Sequence, residues 1–212
     1  MASRSIKMTC LVLFTFVILT SSLITAEARY LQSNTSLYIS ANKSHSTWFK
    51  AGSNVNERSP GVASAGTLLN NTSLYISTNH SHSTWFQAGT GASFNPDGSV
   101  AAGTLLNNTS LYISTNHSHS TWFRAGSQIT TRPDGSISRG TLLNNTSLYI
   151  SSNHSHSTWF RAGSQIVTRP DGSISSGTLL NKTSLYTNPQ HTQSRWFDAG
   201  AVVSFRSDGS VL

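Results

Sequence analysis

His80 and His82 stand two residues apart in the phrase "NHSHSTWF", and the same pair returns as His117/His119 and His154/His156. On an extended strand, residues i and i+2 share a face, so each pair is expected to present two imidazoles together. Neutral imidazole is the commonest side-chain ligand for zinc or copper. Yet no carboxylate or thiolate accompanies the pairs. Two further copies are incomplete, with Lys43 before His45 and Gln193 after His191. The pattern predicts exposed polar histidines with weak copper or zinc affinity, and no dedicated cofactor.

Other chemistry is sparser. Asp97, Asp134, Asp171 and Asp208 all precede Gly in turn-type phrases, where an Asp side chain bonds its own backbone. No Ser/His/acid set, phosphate-cradling glycine loop or paired carboxylate stands out, so the chain reads as no enzyme. Asn34, Asn42, Asn71, Asn79, Asn108, Asn116, Asn145, Asn153 and Asn181 each open an N-x-S/T triplet. In a secretory chain these accept glycans where exposed. Asn70, Asn107 and Asn144 do so as well, but adjacent pairs are rarely both used.

The aromatic residues are the most regular feature. Tyr38, Tyr75, Tyr112, Tyr149 and Tyr186 recur at a constant step, and Trp48, Trp85, Trp122, Trp159 and Trp196 keep the same step of 37. Three roles fit such slots. As structure, Leu74, Ile76, Trp85 and Phe86 and their counterparts would form the packed core of each unit. As a surface, Tyr and Trp stack on sugar rings or partner proteins, and repeated copies add avidity. As a product, the phrase would itself be excised.

These residues ride on a tandem repeat, which takes priority over any local reading. The segments are 1–28, a short 29–33, then units 34–70, 71–107, 108–144, 145–181 and a degenerate, truncated 182–212. The front of each unit, "NTSLYISxNHSHSTWFxAG", barely varies in the middle copies, whereas the back half varies more. "TSLYIS" and "STWF" are rich in β-branched and aromatic residues. "QIVTRPDGSIS" suggests two short strands around a Pro-Asp-Gly turn. No sustained 3.6-residue apolar period argues for helix. The fold expected is all-β-leaning repeats of 37 residues with short strands and Pro-Asp-Gly turns. With about ten apolar side chains per unit against ordering costs of about 1–2 kcal/mol per residue, the units are expected to be largely extended or disordered. A five-bladed β-propeller or an open β-array is the alternative.

The first 28 residues read as a secretory signal: Arg4 and Lys7, an apolar run from Met8 to Thr25, and Ala26-Glu27-Ala28 as a small-x-small cleavage site. No membrane anchor is expected after cleavage, which places the protein outside the cell, or in the apoplast. Removing Arg4, Lys7 and Glu27 leaves 12 basic and 6 acidic residues. With no Lys/Arg cluster, nucleic acid is not an expected partner. The one cysteine, Cys10, lies inside the signal, so no disulfide braces the mature chain.

The signal, "AEARYL" directly after it, and near-identical low-charge units resemble a plant secreted tandem-repeat peptide precursor, of the signalling-peptide or side-chain cross-linked cyclopeptide type. That resemblance implies that "TSLY" and "STWF" are peptide cores. It also implies a processing protease or modifying enzyme as the partner, with "NN" and "SN" suited to asparaginyl proteases. The chain departs from it in having no dibasic sites and units long for one small peptide. The other expectation is a secreted or wall-associated repeat glycoprotein that binds a glycan, or a protein such as a receptor, through its aromatic array.

Overall fold

The computed structural model describes residues 27–212. The signal reading therefore lies outside the described residues, except that Glu27 and Ala28 open the first strand, Glu27–Tyr30. The described chain is all β, with no helix and twenty short strands.

One complete unit shows how the sequence dictates the layers. Thr72–Tyr75 and Ser83–Phe86 pair as an antiparallel hairpin with Leu74 opposite Thr84 and Ser73 opposite Trp85. Side chains alternate across a strand. Leu74, Thr84 and Phe86 point inward and are buried, while Ser73, Tyr75, Ser83 and Trp85 point to solvent. The next two strands, Gly91–Phe94 and Val100–Thr104, leave the hairpin and enter a long sheet beneath it.

That long sheet runs through ten strands in chain order, from Glu27–Tyr30 to Val202–Ser204, every neighbour antiparallel. The ladder crosses each unit boundary: Gly66 pairs with Ala92, Gly103 with Ile129, Gly140 with Ile166, and Gly177 with Val203. A propeller blade would complete its sheet within a unit. Here the end strands do not meet, so the array is open and the five-bladed propeller is excluded.

The hairpins form a second layer on one face of this sheet, and the space between holds one continuous core. Phe49, Phe86, Phe123 and Phe160, each fully buried, are among its largest members. Each phenyl ring rests on a glycine: a Cβ added at Gly103 would lie 2.6 Å from the Phe86 ring, and the same holds for Gly140 and Phe123. Glycine therefore lets the hairpin layer approach the sheet. The expectation of extended or disordered units treated each unit as isolated. In the array each unit also buries its neighbour's apolar side chains, as stacked repeats do.

Boundaries carry polar contacts too. The turn at Asn95–Ser99 closes with Gly98 N–H donating to the Asn95 carbonyl at 3.0 Å, with Gly98 at a positive φ of 94°. Such turns dock on the hairpin loop of the preceding unit, where Thr78 N–H donates to the Pro133 carbonyl at 2.8 Å. Arginine adds a second tie. The Arg132 guanidinium donates to the Ile137 carbonyl at 2.9 Å and, across the boundary, to Thr168 Oγ1 at 2.9 Å. Burial lowers the pKa of Arg132, partly offset by Asp134 and Asp171, and an arginine so held stays charged.

Candidate functional site

The hairpin layer turns four side chains of every unit to solvent. In sequence order they are Ser36, Tyr38, Ser46 and Trp48 in the first unit, and Ser184, Tyr186, Ser194 and Trp196 in the fifth. The same four residue types occupy these positions in all five units. The tryptophans are half exposed, at 50–51 % in four units and 66 % for Trp196. This overturns the packed-core role for Trp, while Leu74, Ile76 and Phe86 do lie in the core. Trp and Phe are adjacent, adjacent residues face opposite ways, and Phe takes the inside. Since each unit adds two strands about 4.8 Å apart to the sheet, successive tryptophans recur at roughly 9.6 Å along the ladder.

The hairpin loops hold the histidines, so the two of one loop do not share a strand face. His80 lies in a turn with a left-handed φ of 54°, and its N–H donates to the Ser77 carbonyl at 2.9 Å. Buried Ser77 Oγ accepts from Ser81 N–H and His82 N–H at 3.2 and 3.1 Å. His80 stacks on Tyr75 of its own unit, with centroids 4.8 Å apart and planes at 27°. His45 of the preceding unit meets the same Tyr75 edge-on at 5.7 Å and His80 at 4.4 Å. The two histidines of one loop thus do not act as a pair. His80 partners His45, and His82 partners His117 at 4.6 Å. His119 with His154 and His156 with His191 repeat the contact at 4.5 and 4.7 Å.

Each first histidine also faces the turn aspartate of its own unit. His80 Nε2 lies 3.5 Å from Asp97 Oδ2, and both atoms are shielded from solvent without another partner. His117 Nε2 lies 3.2 Å from the Asp134 carbonyl, and His154 Nε2 3.1 Å from that of Asp171. A carbonyl only accepts, so Nε2 carries the proton in both. Burial pushes the Asp171 carboxyl up, but hydrogen bonds from Ser152 and Ser173 and the charge of Arg169 outweigh it and hold the group below its ordinary range.

A serine and a histidine do touch in four loops, as with Ser81 Oγ and His82 Nδ1 at 2.8 Å. This is not an activated nucleophile. Ser81 Oγ also reaches Asn79 Oδ1 at 2.7 Å, an atom that can only accept. The hydroxyl proton is spent there, so His82 Nδ1 must donate to the serine rather than take its proton. Among the described residues, no group of three or more His, Cys, Asp or Glu is placed to hold a metal ion.

Shallow grooves run between neighbouring hairpins. One of about 350 Å³ has Ser81, His82 and Ser83 on one wall and Ser110 and Tyr112 on the other. Another of about 250 Å³ repeats the arrangement with Ser44, His45, Ser46, Ser73 and Tyr75. The nine sequon asparagines are exposed. Asn34, Asn71, Asn108 and Asn145 each accept an Ala N–H through Oδ1 at 2.8 Å, a use that leaves the glycan-bearing Nδ2 out of the bond.

Compared with known proteins, the chain matches no family model, no curated protein and no solved structure.

Proposed function

We propose that this is a secreted repeat protein, not an enzyme, which binds an extended, uncharged polysaccharide along its hairpin face. One observation carries the reading: the four outward positions are Ser, Tyr, Ser and Trp in every unit, including the two most diverged. Packing does not require that. The buried Thr of the first four hairpins is exchanged for Arg195 in the fifth, while the exposed Ser194 and Trp196 beside it are kept. The solvated side of the long sheet varies freely, with Ala65, Ala102, Arg139 and Ser176 at equivalent positions.

The residue types suit sugars. Aromatic faces cover the C–H face of a pyranose, while Ser hydroxyls and imidazole nitrogens in the grooves can serve ring hydroxyls. The four outward positions carry neither an acid nor a base, which suits a ligand without charge. In this proposal the 37-residue unit is the binding module, and units add through avidity. The peptide-precursor reading instead needs "TSLY" and "STWF" to be cut from strands with inward side chains buried in a shared core.

Binding is tested by calorimetry and pull-down on soluble β-glucans, xylan and mannan. Wild type is expected to bind at least one of these. Replacing Trp85, Trp122 and Trp159 together by Ala should weaken binding at least tenfold with the fold intact. No binding to any uncharged glycan, or unchanged binding by the triple variant, sinks the proposal. Recovery of short "SLY" or "TWF" peptides instead of the intact chain from extracellular fluid would favour the precursor.

A further inference from the structure

The eight histidines of the chain are all used in contacts between units. We infer that they form four inter-unit clasps, each holding one tyrosine of the hairpin face in register, and that they are positioning residues rather than metal ligands.

Their distribution along the chain carries the inference. The second histidine of each unit, from His45 to His156, meets the first histidine of the next, from His80 to His191. Unit one therefore needs only a second histidine, and at the first position it has Lys43. Unit five needs only a first, and at the second position it has Gln193. Histidine is present where a neighbouring loop supplies a partner, and another residue stands where none of the described loops does. The incomplete copies that spoke against paired ligands within a loop are what pairing across units requires.

The backbone adds a second, independent observation. Each first histidine adopts a left-handed φ between 54° and 57°, a conformation that Gly or Asn takes at lower cost. Four copies nevertheless place an imidazole there, and each stacks on its own tyrosine at 4.7–4.8 Å. Lys43 has the same backbone, with φ 58°, and its Nζ lies 5.9 Å over the Tyr38 ring instead. Tyr75, Tyr112, Tyr149 and Tyr186 are thus gripped by histidines of two units, whereas the Tyr38 ring meets Lys43 of its own loop and its backbone pairs with Gly61 and Val62 of its own unit.

Chelation fits less well. The rings meet edge to face, at 67–78°. His82 Nδ1 is occupied by Ser81, and His117 Nε2 by the Asp134 carbonyl.

The clasp is tested without any glycan, so its failure is separate from that of the binding proposal. In a double-mutant cycle on thermal midpoints, His82→Gln with His117→Asn should be clearly non-additive. His80→Asn with His82→Gln, in one loop, should come close to the sum of its single shifts. Both replacements keep the loop chemistry, since Gln occupies the second position in unit five and Asn tolerates left-handed φ. In ring-proton NMR, His82→Gln should move Tyr112 and leave Tyr38 in place. An additive cross-unit pair, a same-loop coupling as large as the cross-unit one, or an unmoved Tyr112 overturns the inference. So does tight binding of four equivalents of copper or zinc.

Discussion

Gly140→Ala tests the seating of the hairpin layer on the sheet. Gly140 has no left-handed φ to protect, so the only objection to alanine is space. The new Cβ would stand 2.6 Å from both Cδ1 and Cε1 of Phe123, and 3.4 Å from Ile129 Cγ2. Phe123 is fully buried between the layers, so its ring cannot swing into solvent. Overpacking of this kind costs about 1–3 kcal/mol. For a chain of this size that lowers the midpoint by roughly 2–4 °C per kcal/mol, or about 2–12 °C in all. Gly91→Ala is the matched control: it lies in the same sheet, and a Cβ there meets nothing within 4 Å. Its expected effect is within about 0.5 kcal/mol of zero. Thermal melts by circular dichroism read both. A smaller ring partner should rescue the first, so Gly140→Ala with Phe123→Leu should melt above the sum of its single effects. If Gly140→Ala melts with wild type, the hairpins do not rest on the sheet as described, and the exposed Trp row loses its support.

Two further outcomes follow from the boundary contacts. Asp171 is held below the ordinary carboxylate range despite its burial. Its contribution is therefore complete above the unfolded value near 3.9 and lost as pH falls through the lower folded value. Melting midpoints of wild type should drop below about pH 4, and less steeply in Asp171→Asn; equal slopes would refute the linkage. Arg195 sits where the first four hairpins bury Thr, and its guanidinium lies 4.4 Å over the half-buried Phe197 ring. Arg195→Thr should uncover an apolar flank that matches a unit boundary and make the chain sediment heavier with concentration. Unchanged sedimentation would show that Arg195 does not cap the array.

The short strands were legible in the sequence, because alternation in "TSLY" and "STWF" is a short-range signal. The choice of face was not. Trp85 and Phe86 are both apolar, and only the partner across the core decides which is buried. The clue was Gly103, placed seventeen residues after Phe86, a spacing that the first four units share. A constant glycine at constant distance from a constant phenylalanine points to a close approach between them. The histidine pairs were read within a unit because i and i+2 are neighbours in sequence. Their real partners are one unit away, and only the gaps at Lys43 and Gln193 marked the offset. The extent of burial is hidden for the same reason: apolar side chains counted per unit omit what the next unit covers.

The spacing of the hairpin face is set by backbone hydrogen bonds in the sheet beneath it, not by the aromatic residues themselves. Substituting a tryptophan therefore changes affinity at one unit without changing the pitch of the others. A ligand whose own repeat matches two strand spacings gains from every unit it crosses, whereas one out of step gains from one or two. Ordinary sheet twist, roughly 20–25° between neighbouring strands, turns each tryptophan relative to the one before it. A rigid planar surface would then meet only a few rings at once. A single polysaccharide chain can wind with the ladder and keep contact with all of them, so the binding proposed above calls for a free glycan strand rather than a crystalline face.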